Sequence, residues 1–268
     1  MKPRDAFLDC LTRTSVPLFE AGVWIAAEHA PQVDIRRCME SVGDLARTLD
    51  ATVVDGAPAE QAQALVRELI THGYAMDDDR PLTPAAALLD RVLERKRGQP
   101  LSIAIIALEC AYRIGLPLEG VGFPGYFLLR APGADHCLDP CSGRRLYTPE
   151  CRALLRMQAG PGAELSAAHL KGLTSREMLT RLSRNLRELH RHAGLLSAAL
   201  KDANRILEIA QPAVDDYLAR AWLYQQLDCP EATRHDLERA LLITTDTSQR
   251  IALAQQLRNL PSTRDIIH

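Results

Sequence analysis

The sequence predicts a mainly α-helical protein with one small α+β core in its middle and helical hairpins towards its C-terminal end. Three observations carry that prediction. Apolar residues recur at spacings of three and four over much of residues 1–95. The pattern then changes to a glycine-punctuated, aromatic stretch, Val121 to Arg130, with strand propensity. From about Thr174 onward the chain is helical again, with an internal offset of 34 residues.

Taken in order, Gly22 to Glu28 predicts a short apolar helix that stops before Pro31. Asp34 is an N-cap for the next helix, because its carboxylate can accept a free amide of the first turn. In that helix Ile35, Met39, Val42, Leu45, Ala46 and Leu49 form one apolar stripe. Ala59 to Ile70 repeats the pattern. Thr83-Pro84 caps a further helix running to about Lys96, with Pro84 suited to the first helical position.

Ile103 to Ala111 is the longest apolar run, broken by Glu109, and reads as a buried core helix rather than the roughly 20 residues a membrane span needs. Tyr126 to Leu129, Cys137-Leu138 and Arg144 to Tyr147 predict three strands, separated by turns at Gly122, Pro124-Gly125 and Pro140 to Gly143. Thr148-Pro149-Glu150 opens another helix. A small sheet beside a buried helix follows, since neither buries its apolar face alone.

Past the Gly160-Pro161-Gly162 loop, Ala198, Asp202, Arg205, Leu207 and Ile209 match Ala232, Asp236, Arg239, Leu241 and Ile243 at the 34-residue offset. Helix breaks at Gly194, Gln211-Pro212 and Cys229-Pro230 fit two paired-helix units resembling tetratricopeptide repeats. Four parts result: a helical region 1–95, an α+β core 96–160, helical repeats 174–246 and a C-terminal helix or tail 247–268. Asn185, Arg220 and Gln226, on the first helices of the pairs, are candidate groove residues. Trp24, Trp222 and Tyr224 read as core residues on apolar stripes, and His190 and His192 as groups complementing a helix end.

The bulk numbers exclude several classes of function. A formal net charge of -2 gives no electrostatic reason to expect nucleic acid or an anionic membrane as partner. Seven scattered cysteines and an N-terminus without an apolar signal core predict reduced thiols in a cytoplasm.

Three segments carry a resemblance: Arg-Lys-Arg-Gly-Gln-Pro-Leu-Ser from Arg95 to Ser102, Pro124-Gly125-Tyr126-Phe127, and Asp139-Pro140. Their order resembles transglutaminase-like, papain-type proteins, and most closely the SirB-type bacterial family that joins such a core to tetratricopeptide repeats. The resemblance implies a thiolate at a helix N-terminus, a histidine on a neighbouring strand as base, and an acid orienting it. The nucleophile lies two residues after Gly98 and about fifteen before Gly115, and both rulers point to Pro100. The family histidine belongs at Tyr126, and the orienting acid is retained at Asp139. Proline has no nucleophile, and tyrosine, with an ordinary pKa of about 10, is a poor base near neutral pH.

Two functions of different class follow. The first is a non-catalytic protein-interaction or regulatory module of the bacterial cytoplasm, with a protein or peptide partner and neither cofactor nor metal. The second is a thiol hydrolase or acyltransferase rebuilt from His136, Asp139 and Cys137 or Cys141. His136, Cys137 and Cys141 also offer three soft ligands, but no second pair at zinc spacing accompanies them. Ser102 lies about 200° around the helix from Pro100 and reads as an N-terminal capping hydroxyl; Cys110 reads as a small buried hydrophobe.

Overall fold

A computed structural model of the protein describes residues 2–52, 56–209 and 211–260. The chain forms two compact units, Met1–Leu182 and Ser183–His268.

The first unit opens with α1 (Pro3–Thr12), α2 (Leu18–His29), α3 (Ile35–Asp50) and α4 (Pro58–Thr71). Asp34 caps α3 as its position predicts: its Oδ1 accepts the Arg37 amide at 3.0 Å. Of the predicted α3 stripe, Val42, Ala46 and Leu49 are buried. Strand β1 (Ala75–Met76) follows, and then a 3-10 turn over Pro84–Ala86 and helix α5 (Leu89–Arg95). The single helix predicted from Thr83 to Lys96 is therefore broken. Leu88 is extended, and Thr83 makes no side-chain cap bond. The physical reason is tertiary: the carbonyls of Ala86 and Ala87 accept bonds from Gln99 N (2.7 Å) and Ser102 Oγ (3.3 Å).

Strand β2 (Arg97–Gly98) pairs in parallel with β1, Ala75 against Arg97 and Met76 against Gly98. Helix α6 (Pro100–Arg113) starts two residues later and is the centre of this unit. Every residue from Leu101 to Ala107 is buried, and so are Cys110 and Ala111. An all-round apolar helix must be covered on all sides. Helices α2, α3, α4 and α5 supply one part of that cover. Strands β3 (Glu119–Val121) and β4 (Leu128–Arg130) supply another.

With β5 (Cys137–Leu138) and β6 (Arg145–Leu146), these strands make an antiparallel sheet in the order β3-β4-β5-β6. Strand β4 starts at Leu128, so Tyr126 and Phe127 belong to the preceding turn rather than to the strand predicted for them. Gly125, at φ +72°, makes that turn possible, since other residues rarely adopt left-handed backbone. Helix α7 (Thr148–Ala159) closes the sheet segment, its first turn tied by Glu150 Oε2 accepting the Tyr147 amide at 3.1 Å.

Helix α8 (Ser175–His192) begins in the first unit and ends in the second. The second unit continues with α9 (Leu196–Ile209), α10 (Val214–Gln226), α11 (Pro230–Ile243) and α12 (Thr247–Asn259). The helix breaks fall where the sequence predicts them. Residues 261–268 of the predicted C-terminal tail lie outside the described residues. Three buried aspartates tie these helices together. Asp202 accepts from Arg205 Nη1 at 2.7 Å and lies 2.7 Å from His190 Nδ1. Asp216 holds Arg184 at 2.9 and 2.6 Å, and Asp236 holds Arg220 at 2.7 and 2.6 Å. Asp202 and Asp236 are the acids related by the 34-residue offset; both are fully buried, but they take their arginines from different helices. No helix among the described residues is long and apolar enough to cross a membrane.

Two expectations follow. Ile105 is fully buried in α6, so Ile105→Ala removes methylenes from a site walled on all sides. A loss of about 2–5 kcal/mol in urea unfolding is expected, and a loss below about 1 kcal/mol would contradict the central place of α6. Asp216 is 2% exposed. Burial raises its pKa, but hydrogen bonds from Arg184 and the Ala213 amide and the arginine charges outweigh it and hold the carboxyl below its ordinary value. Its contribution is thus complete above about pH 4 and lost as pH falls through the depressed value. In thermal melts, wild type should exceed Asp216→Asn at pH 7, and the gap should shrink below about pH 4.

Candidate functional site

Pro100 is the first residue of α6, as the resemblance requires of the nucleophile position. Two residues earlier, Gly98 is buried under the 3-10 turn and α5. A Cβ there would lie 2.8 Å from both Val92 methyls and 3.2 Å from the Ala86 carbonyl oxygen. The glycine that precedes the nucleophile slot is therefore required by backbone packing, whatever the slot holds. Proline fits the first helical position because that amide has no intrahelical acceptor. What it cannot supply is a nucleophile or an amide donor.

Tyr126 is half-buried and packs against the cluster of Val121, Phe123, Leu128 and Cys137, with its ring 6.5 Å from that of Phe123. Its amide donates to Phe123 O at 3.0 Å and its carbonyl accepts from Arg181 Nη2 at 2.7 Å. Asp139 directly follows Leu138, which pairs with Leu129 of β4, so Asp139 and Tyr126 stand at the same end of the β4–β5 pair. The Asp139 carboxylate serves a turn: Oδ1 accepts the Cys141 amide at 2.8 Å and the Ser142 amide at 3.3 Å. Its backbone closes the same turn with Arg144 and Gly143. Pro100 thus opens α6, Tyr126 lies in the turn that leads into β4, which packs on α6, and Asp139 follows β5, the partner of β4.

The alternative residues do not assemble into a dyad. His136 is buried, but its Nδ1 lies 2.8 Å from Asp135 Oδ1, and that contact holds the Asp135 carboxyl below its usual range. The His136 ring lies tilted against that of Tyr147, with centroids 5.3 Å apart. Cys137 is buried, and its hydrogen bond to Cys151, together with burial, pushes its thiol far up. Burial and the nearby Asp139 charge push Cys141 up to about 12. The ligand atoms of His136, Cys137 and Cys141 do not come together as a metal-holding group among the described residues.

Other expectations need correction. Ser102 is not an N-terminal capping hydroxyl; it is fully buried and donates to Ala87 O. Trp222 is 39% exposed rather than in the core. Arg220, a predicted groove residue, is engaged by Asp236 and by Asn204 Oδ1 at 2.9 Å. Gln226 is exposed and Asn185 half-buried. Cys110 is buried, with its thiol pushed up to about 12 by desolvation, as befits a small core residue. Cys151, one of the seven scattered cysteines, has no role in the sequence reading. It lies in the first turn of α7, with Sγ 3.7 Å from Leu146 O and Cys137 beside it; its place behind Thr148-Pro149 was the available signal.

Comparison with known proteins identifies the family. The family profile described as the transglutaminase-like superfamily matches residues 36–184. A UPF0162 protein of Pseudomonas aeruginosa, PA3419, is 52% identical over 270 residues and covers 100% of both chains. A UPF0162 protein of Xylella fastidiosa is 31% identical over 87% of this chain and 86% of its own. Protein SirB1 of Salmonella typhimurium is 27% identical over 57% of this chain and 58% of its own. The chain belongs to the transglutaminase-like superfamily, in the UPF0162 family of which SirB1 is a member.

Proposed function

We propose that this protein is a non-catalytic member of its family, a protein-interaction or regulatory module of the bacterial cytoplasm. The observation that carries the proposal is Pro100 at the head of α6, where family chemistry needs a thiolate. The remaining positions agree with it. Tyr126 stands where the base belongs, and the retained acid, Asp139, is engaged by the amides of its own turn. The two thiols nearest that acid, Cys137 and Cys141, are pushed up rather than down, so neither is a thiolate at neutral pH.

What remains for the chain to do is bind. The paired helices α8–α9 and α10–α11 repeat at tetratricopeptide-like spacing, and stacked pairs of this kind offer a groove to a peptide. The rebuilt thiol hydrolase is the competing reading. It requires one of Cys137 or Cys141 to ionise near neutrality, opposite to the direction that burial, the Cys151 hydrogen bond and the Asp139 charge impose.

Two measurements test the proposal. With limiting iodoacetamide at about pH 6, no cysteine should be alkylated quickly: raised thiols such as Cys137 and Cys141 are overwhelmingly protonated there, and Cys151, drawn down by its hydrogen bond with Cys137, is buried away from the reagent. Rapid, selective labelling of Cys137 or Cys141 would install the enzyme reading instead. In lysate pull-downs, a chain ending at Leu182 should lose the partners that the full chain captures, while circular dichroism shows it folded. A folded truncation that keeps every partner would move the binding surface to the first unit.

A further inference from the structure

In the second unit, a small cavity of about 250 Å³ lies between α8 and α10, lined by Arg187, Glu188, Arg191, Ala219, Trp222 and Leu223. We infer that it is an anchor site for an acidic peptide: a carboxylate meets the Arg187 guanidinium, and the apolar side chain beside it lies on Trp222.

The guanidinium of Arg187 is the first reason. This side chain is 10% exposed, yet its Nη1 has no hydrogen-bond acceptor among the described residues. Its Nε donates to Glu188 Oε1 at 3.1 Å. Nη1 forms an ion pair with Asp216 Oδ1 at 3.6 Å, beyond hydrogen-bond reach. Asp216 cannot turn to it, because its two oxygens hold Arg184 and the Ala213 amide. A buried charged donor without an acceptor is costly, and an incoming carboxylate removes that cost while forming a charge-assisted bond.

Charge is the second reason. Two arginines and one glutamate line the cavity, and Glu188 is held ionised: burial raises its pKa, but the hydrogen bonds and charges of Arg191 and Arg187 outweigh burial and bring it down. The remaining positive charge favours an anion. The third reason is Trp222, whose ring is 39% exposed on one side of the cavity with the Arg191 guanidinium 5.5 Å from its centroid. An exposed tryptophan already flanked by a cation is the kind of anchor that dominates protein interfaces. The volume is below the range of small-molecule sites, about 300–1,000 Å³, and suits one side chain rather than a cofactor.

This inference rests on reading the protein as an interaction module and names the chemistry of its partner. The test selects phage-displayed random peptides on the full chain. Affinities of the synthesised winners are then read from the fluorescence anisotropy of the dye-labelled peptide titrated with the protein. Winners should carry Asp or Glu next to an apolar residue. Replacing that acid by its amide in the peptide should weaken binding at least ten-fold, and so should Arg187→Met, with no further loss when the two are combined. Trp222→Ala, on the cavity rim, should weaken binding several-fold and serves as a second variant if Arg187→Met fails to fold. Winners without an acid, a preference for phosphoserine over glutamate, equal binding of acid and amide peptides, or no winners at all would overturn the inference. If no acidic peptide binds while the full chain still captures partners lost at Leu182, the interaction reading stands and this site alone is wrong.

Discussion

Burial of α6 from Leu101 to Ala107 is the constraint on which the first unit depends. Seven consecutive residues, Leu101 to Ala107, leave no face for water, so every neighbouring element is recruited as cover. At about 1.5–3 kcal/mol for each large aliphatic side chain, this helix concentrates much of the hydrophobic driving force of the unit. It also dictates close approaches elsewhere. Gly98 allows β2 to pass under Val92 and Ala86, and Gly22 lets α2 approach Leu89, where a Cβ would come within 2.5 Å of a methyl. The antiparallel sheet completes the enclosure.

That constraint is independent of the chemistry that the family architecture can host. A papain-type thiolate draws its reactivity from the first turn of the central helix, but the helix does not need the thiolate in order to fold. Proline at the first helical position suits the backbone and brings no nucleophile of its own there. Asp139 illustrates the same separation from the other side. Its carboxylate receives two amides of the β5–β6 turn, so its presence is accounted for by local structure whether or not a histidine faces it. His136, adjacent in sequence, turns instead to Asp135 and Tyr147.

The second unit is held by a different kind of interaction. Its small buried clusters, Ala199, Ala203 and Leu223 in one and Ala221, Leu237, Ala240 and Leu253 in the other, are accompanied by three buried aspartates, each answered by arginine. Buried ion pairs of this sort contribute little net stability relative to an apolar core, but losing one partner leaves a charge without compensation. They therefore define geometry strictly. Arg187 stands out in this setting because its Nη1 lies 3.6 Å from Asp216 and has no hydrogen-bond acceptor among the described residues.

Local pattern was enough for much of this protein. Apolar periodicity located the helices, the Asp34 cap was readable from one residue and its neighbours, and the glycine and proline turns separated the strands of the sheet. Two glycine rulers located Pro100 at the head of α6. Other features depend on atoms far away in sequence. The β1–β2 pair joins dipeptides more than twenty residues apart and is too short to leave a periodic signal. The break at Leu88 and the inward turn of Ser102 exist because Ala86 and Ala87 carbonyls find tertiary donors. A sequence shows that Trp222, Arg220 and Cys151 lie on helices. Only packing decides that the first is exposed, the second is bound to Asp236 and the third meets Cys137, because a side chain's environment is set by whichever elements fold against it.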